Sequence, residues 1–341
     1  MEMSYMAPVQ ALIRVNENSQ VGEARRTAAR LAELSSLGET DCGKISIIAT
    51  ELANNLVRHT NGGELLIRCF RTTACEGVEL LSVDRGPGMA DVGRCMEDGF
   101  STGGTAGTGL GAIRRLSTEF DIYSARPAGT VVLSRVLTPA PGIQVAPERL
   151  ALPRYGIVRV PAPGETMCGD NWAIAEKDGR ISMLIADGLG HGPLAAKAAD
   201  EAVKVFDEDP FRDPGRLLDS VHGALRSTRG AAVAIMQADL RRRAIKYVGV
   251  GNIAGSLIGD GDSRGLFSHN GTVGLKMHKI QEFDYPWPEK TLLVMHSDGL
   301  QTRWDLAAYP GLPLRHPAVI AAVLYRDFSR IRDDLTVAVI R

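Results

Sequence analysis

The sequence predicts an α+β chain of two domains, on three observations. Before residue 137, stretches with apolar residues at helical spacing lie between stretches that alternate like strands. A punctuated segment, 137–153, follows, with Pro139, Pro141, Gly142, Pro147 and Pro153. Beyond it, short apolar runs suited to strands dominate and helical patterns are few. The length of 341 residues allows two or three domains, and 44% apolar content gives each a sizeable core. The expected boundaries are 1–137 for the first domain, 138–153 for the linker and 154–341 for the second domain.

In chain order, Gln10–Val15 alternates as a strand, and residues 19–36 and 40–59 read as helices. In the second helix Ile45, Ile48, Leu52, Leu56 and His59 recur at the spacing that places them on one face. Strands are expected at 64–71 and 78–84. A Gly/Thr-rich stretch, 99–109, leads into a short helix over 110–117, followed by strands at 119–124 and 129–137. The first domain is thus a sheet with helices on one face. In the second, strands are expected at 154–160, 171–176, 180–186, 231–238, 244–249, 254–259, 279–283, 291–296 and Leu335–Ile340. Helices are expected at 192–206, 214–227 and Pro317–Phe328, which together predict a two-sheet sandwich with helical outer layers.

Composition excludes several classes. A formal net charge of -1 gives no support for a general nucleic-acid surface, and the triplet Arg241-Arg242-Arg243 reads as a solvated hairpin turn. No apolar run reaches the length of a membrane span, and residues 1–8 lack the pattern of a signal peptide. Cys42, Cys69, Cys75, Cys95 and Cys168 are scattered without paired short spacing, as suits reduced, buried thiols of a cytoplasmic protein.

The aspartates of the second half carry the chemistry. Asp170 follows Cys168-Gly169, Asp187 opens Asp187-Gly188-Leu189-Gly190-His191-Gly192, Asp298 lies in Ser297-Asp298-Gly299, and Asp333 opens Asp333-Asp334-Leu335-Thr336. Carboxylates at strand ends, beside glycines that let the backbone approach, make an oxygen-rich cage for magnesium or manganese. A pair of such ions can activate water and clamp a phosphoryl group. Taken singly, Asp187-Gly188 and Asp298-Gly299 also suit ordinary turns, Asp334 competes with Asp333 as the ligand, and Met167 and Trp172 read as core. His191 reads as a loop or helix-start residue beside a site where it could also donate a proton.

The first half holds three motifs in order. Glu51 and Asn55 are four residues apart and share a helix face, where an amide oxygen can ligate magnesium and a carboxylate can orient a nucleophile. Asp84-Arg85-Gly86-Pro87-Gly88 ends a strand with an acid that can accept from an exocyclic amine. Gly103-Gly104-Thr105-Ala106-Gly107-Thr108-Gly109-Leu110-Gly111 opens a helix whose N–H groups can cradle phosphates.

The first half, over about residues 9–137, resembles the GHKL-type ATP-binding fold, an α/β sandwich, and within it the anti-sigma-factor serine kinases of bacterial partner-switching systems. The resemblance implies ATP with Mg2+ at Asn55 and adenine at Asp84. It implies a pocket shaped by Gly86, Gly88, Gly107, Thr108, Gly109, Leu110 and Gly111, and Glu51 as base for a protein hydroxyl. The second half, from about Tyr155 to Arg341, resembles the metal-dependent phosphatases of the PPM type, an α-β-β-α sandwich, in the sporulation stage II E-like branch. There the resemblance implies two or more Mn2+ or Mg2+ held by Asp187, the Gly188 carbonyl, Asp298, Asp333 and Asp170, with Asp187 and Asp298 central to catalysis. The implied function is serine/threonine dephosphorylation of an anti-sigma antagonist-like partner, with kinase action on the same or a related partner. Nucleotide sensing without transfer is the other reading. No nucleic acid or membrane is expected as partner, and homo-oligomerisation stays open.

Overall fold

The computed structural model describes residues 10–35, 37–72, 74–96, 109–143, 154–259, 261–277, 280–330 and 332–341. The chain divides into two units. One comprises Pro8–Pro153 with Leu314–Arg326, the other Arg154–Pro313 with Asp327–Arg341.

In the first unit β1 (Gln10–Val15), β2 (Gly63–Arg71), β3 (Cys75–Asp84), β4 (Glu119–Ala125) and β5 (Gly129–Pro139) form an antiparallel sheet in the order β1-β2-β3-β5-β4. Helices α1 (Asn18–Leu34) and α2 (Glu39–His59) precede a short helical turn, α3 (Val92–Cys95), absent from the sequence reading, and α4 (Gly109–Leu116). The Gln20 side chain accepts from the N–H groups of Asn16 and Glu17 and starts α1, while Arg58 and His59 sit at the electronegative end of α2. The periodic residues Ile45, Ile48, Leu52 and Leu56 join Leu31 and Ile67 in the core between helices and sheet.

The opposite face of this sheet carries a row of charges. Strand register sets Arg68 beside Glu79, Glu79 beside Arg135, and Arg135 beside Glu119. Glu79 accepts from both arginines at 2.6 Å, and Arg135 reaches Glu119 at 2.7 Å. Burial alone would raise the Glu79 pKa, but Arg68 and Arg135 lower it from 4.5 to about 2. Leu314–Arg326 belongs with this face. The His316 N–H donates to Asp121 at 2.6 Å, the His316 ring lies 3.2 Å from the Arg135 guanidinium, and the Tyr325 hydroxyl donates to Glu64 at 2.6 Å. The span expected as one domain over 154–341 therefore lends thirteen residues, 314–326, to the first unit.

The second unit holds two antiparallel five-stranded sheets. The strands of one are β7 (Asp170–Lys177), β8 (Arg180–Gly188), β9 (Ala231–Asp239), β10 (Ala244–Val250) and β13 (Phe283–Pro286), in the order β13-β10-β9-β8-β7. Those of the other are β6 (Tyr155–Val160), β11 (Ala254–Ile258), β12 (Ser263–Leu266), β14 (Leu292–His296) and β15 (Leu335–Ile340), in the order β12-β11-β14-β15-β6. Helices α5 (Pro193–Glu208) and α6 (Pro214–Leu225) lie between β8 and β9 in the chain and share a core with Ala173, Leu184, Val233 and Val248. Helix α7 (Pro317–Phe328) crosses the division between units at Arg326.

Two edge strands departed from expectation. A strand was expected at 279–283, but β13 runs Phe283–Pro286, because an edge strand tolerates the proline that reads as a breaker. The other, β12, is almost wholly exposed and shows no alternation that would betray it. Arg241 and Arg242 lie in the β9–β10 hairpin, their N–H groups donating to Asp239 at 2.9 Å. All five cysteines are free; Cys75 and Cys168 are buried and the others half-buried. Met167, expected in the core, is 44% exposed, whereas Trp172 is buried. Among the described residues no helix is long and apolar enough to cross a membrane.

Candidate functional site

Antiparallel pairing puts Asp170, the first residue of β7, directly opposite Asp187 near the end of β8. Asp298 lies just past β14 and Asp333 just before β15, which pair with each other. The ends of four strands from two sheets thus deliver four carboxylates to one end of the sandwich.

The glycines beside them are set by crowding rather than by turn geometry. A Cβ on Gly188 would collide with the Ala195 carbonyl of α5, and one on Gly299 with the Asp334 carbonyl. The helix and the strand end can approach the acids only because these side chains are missing.

Asp170 is fully buried. Its Oδ2 accepts from the Ser297 hydroxyl at 2.6 Å, and that hydroxyl accepts from the Thr336 N–H at 2.9 Å, so one serine ties β7 to β14 and β15. The other Asp170 oxygen has no hydrogen-bond partner. Burial raises the Asp170 pKa to about 7 against the Ser297 hydrogen bond. Asp187 is raised further, to about 9, by burial and then by the charges of Asp170, Asp298, Asp333 and Asp334. Burial and Asp298 also raise Asp333.

Asp334, the alternative ligand, points inward. Its Oδ1 accepts from the Ala162 N–H at 2.9 Å, and its Oδ2 is buried without a hydrogen-bond partner. Among the described residues no three acidic, histidine or cysteine side chains close around one point as ligands of an ion would. The acids share an electrostatic field without forming a coordination shell. The orphaned oxygens of Asp170 and Asp334, and the charge crowding at Asp187, still fit divalent cations and nothing anionic.

Two groups escaped the sequence reading. The Asn252 amide donates to Asp298 Oδ2 at 2.6 Å. Glu165 accepts from His191 Nδ1 at 2.6 Å, where the imidazole is 66% exposed. Neither has a periodic or motif signal, since both contacts join loops distant in sequence.

In the first unit α2 presents Glu51 and Asn55 one turn apart, and α4 begins against them. A Cβ on Gly109 would stand 3.0 Å from Glu51 Oε2 and 3.7 Å from Asn55 Oδ1. Asp84 ends β3, buried, and its Oδ1 accepts from the N–H groups of Gly86 at 2.7 Å and Thr130 at 3.2 Å. Burial nevertheless wins and raises its pKa. Gly88 has φ 67° and packs on the Ala125 carbonyl. Gly111 is buried in α4, and Leu110 packs against the helix–sheet core. Gly107 and Thr108 lie outside the described residues. A cavity of 540 Å³ adjoins Gly86, lined also by Arg58, His59, Thr60, Arg85 and Pro87.

A helix-backed sheet with Glu51, Asn55 and Asp84, and a sandwich with carboxylates at one end, define the class. This is a partner-switching regulator with a kinase-like ATPase domain and a PPM-type serine/threonine phosphatase domain. Residues 15–135 match the family described as Histidine kinase-like ATPase domain, and residues 177–341 match Stage II sporulation protein E (SpoIIE). The serine/threonine-protein kinase RsbT of Bacillus subtilis (strain 168) is 31% identical over 123 residues, 36% of this chain and 92% of RsbT. The phosphoserine phosphatase RsbX of the same organism is 25% identical over 138 residues, 40% of this chain and 69% of RsbX. A solved structure reported as "The bacterial stressosome: a modular system that has been adapted to control secondary messenger signaling" superposes with a TM-score of 0.52 at 28% identity, covering 55% of this chain and 98% of that one. The chain belongs to the RsbT family of histidine kinase-like ATPases, joined to a SpoIIE phosphatase domain.

Proposed function

We propose that the protein resets a phosphorylation switch. Its C-terminal domain removes phosphate from phosphoserine or phosphothreonine of a partner resembling an anti-sigma antagonist. Its N-terminal domain binds ATP with Mg2+ and phosphorylates a serine or threonine of the same or a related partner. The observation that carries the reading is the meeting of Asp170, Asp187, Asp298 and Asp333 at one end of the sandwich, with Asp187 pushed up to about 9 by burial and its neighbours' charges.

Asp187, the Gly188 carbonyl, Asp298 and Asp333 would hold two or more Mn2+ or Mg2+, with Asp170 supporting. Such ions supply charge neutralisation at a phosphoryl group and activation of water. The chain's own residues do the positioning. Ser297 fixes Asp170, and the missing side chains of Gly188 and Gly299 let α5 and β15 close on the acids.

In the N-terminal domain Asn55 would hold the Mg2+ of the nucleotide, Asp84 would accept from the adenine amine, and Glu51 would take the proton of the attacking hydroxyl. Gly109 beside Glu51 and Asn55 supports this reading, because the helix start that would face phosphates lies against both side chains.

Purified protein with Mn2+ should release phosphate from a phosphorylated partner or from p-nitrophenyl phosphate, and Asp187→Ala should not. No turnover with any divalent metal sinks the phosphatase reading. Labelled ATP, offered to candidate partners, should transfer phosphate with wild type and not with Glu51→Ala or Asn55→Ala. Binding without transfer would make the domain a nucleotide sensor.

A further inference from the structure

Asn252 lies in the tight connection between β10 and β11. Gly251 before it has φ 101°, and a Cβ there would collide with Ala232 of β9, so the chain turns against the sheet. Pairing of Ala254 with His296 then sets Asn252 beside the end of β14. Its amide nitrogen donates to Asp298 Oδ2 at 2.6 Å. The asparagine is exposed, so this hydrogen bond does not rescue a buried polar group, and the fold has little need of it.

We infer that Asn252 is a positioning residue for the metal site, its amide holding one oxygen of Asp298 so that the carboxylate keeps a single orientation among Asp187 and Asp333. The inference rests on the phosphatase reading. Repulsion among the carboxylates pushes the more exposed ones toward solvent, and Asp298, half-exposed at a strand end, has room to swing that way. A neutral amide suits the task better than the alternatives. A lysine or arginine would compete with a cation for the same carboxylate, and an aspartate would add to the repulsion. Partners that orient ligands in this way typically change metal affinity by about 10- to 100-fold.

The test uses the full chain and Mn2+ alone as probe. Mn2+ binding is measured by calorimetry, melting is measured in chelator, and kcat and KM for p-nitrophenyl phosphate are measured across Mn2+ concentrations. Asn252→Ala should bind Mn2+ about 10-fold more weakly, melt in chelator like wild type, and recover its kcat as Mn2+ is raised, with KM at saturating Mn2+ unchanged. Asn252→Asp should melt lower in chelator and gain more from Mn2+ than wild type does. Wild-type Mn2+ affinity in Asn252→Ala overturns the inference, as does a loss of melting temperature in chelator that accounts for the weaker binding. Asp187→Ala separates the two levels. If it binds Mn2+ as wild type does, the phosphatase site itself is misassigned and both readings fall. If it loses binding while Asn252→Ala keeps it, only the role of Asn252 falls.

Discussion

Replacing Asp187 by asparagine should make the metal-free protein more stable, although it destroys the site. In the folded state burial and four neighbouring carboxylates raise Asp187 from 3.8 to about 9. The folded, metal-free protein at pH 7 therefore keeps a proton that the unfolded chain releases. A raised carboxyl pKa gives stability that is fully present below about 3.8 and is lost as pH rises through about 9. At about 1.4 kcal/mol per pH unit, the interval from 3.8 to pH 7 costs about 4 kcal/mol, and the interval to 9 about 7 kcal/mol. Asp187→Asn removes the ionisation and with it this cost, which for a domain of this size is a rise in Tm of about 10 °C at pH 7. Melting in chelator at pH 5, 7 and 9 reads it, with the gap between variant and wild type widening with pH. Mn2+ at a thousandfold its Kd should close the gap at pH 7, because such a ligand adds about 4 kcal/mol to the protein that binds it. Equal metal-free stability with equal pH dependence would refute the electrostatic argument. Equal stabilisation of both proteins by Mn2+ would refute the assignment of Asp187 as ligand.

Glu79→Gln should destabilise the first unit by about 3 kcal/mol, the value of holding this carboxyl at about 2 rather than 4.5. In wild type that contribution is present above about 4.5 and lost as pH falls through about 2, so urea melts below pH 4.5 should converge on the variant. Gly188→Ala forces a methyl into the Ala195 carbonyl of α5, and should lower stability by roughly 2 kcal/mol and abolish phosphate release. Asp84→Ala should weaken adenine-nucleotide binding by about 10- to 100-fold, read by calorimetry, while Mn2+-dependent hydrolysis of p-nitrophenyl phosphate continues.

Much of this was legible because period and punctuation carry physical information. The helix over Glu39–His59 showed itself through Ile45, Ile48, Leu52 and Leu56, which the core then buries. Strands flanked by turn residues were found within one to three residues, whereas the edge strands β12 and β13 were missed or shifted, since an edge needs neither alternation nor freedom from proline. The aspartates were visible because each adjoins a strand end. What joins them was not. Ser297 stands in a quoted motif, yet its bond to Asp170 spans 127 positions, and the bond from Asn252 to Asp298 spans 46. Asp334 is set apart from Asp333 by its bond to the Ala162 N–H, which spans 172 positions and has no local signal either.

The residues 314–326 show why helical periodicity predicts an element but not its neighbour. Pro317–Phe328 reads as a helix from sequence, and its position next to Asp333 suggests that it belongs wholly to the phosphatase half. Every residue from Pro317 to Arg326 is buried, including the arginine, so the apolar stripe of a one-sided helix is absent and no face is marked as inner. The affinity is instead written on the sheet. Glu119 and Asp121 alternate with Phe120 and Ile122 on β4, and the two acids face away from the apolar core formed with the helices. A half-buried polar row needs partners, and Arg315 and His316 supply them to Asp121, as Tyr325 does to Glu64. The charged register of the first unit is therefore completed by chain that follows it by some two hundred residues. A cut at the linker would separate a sheet from the segment that satisfies it, so the folding unit and the sequence domain do not share a boundary.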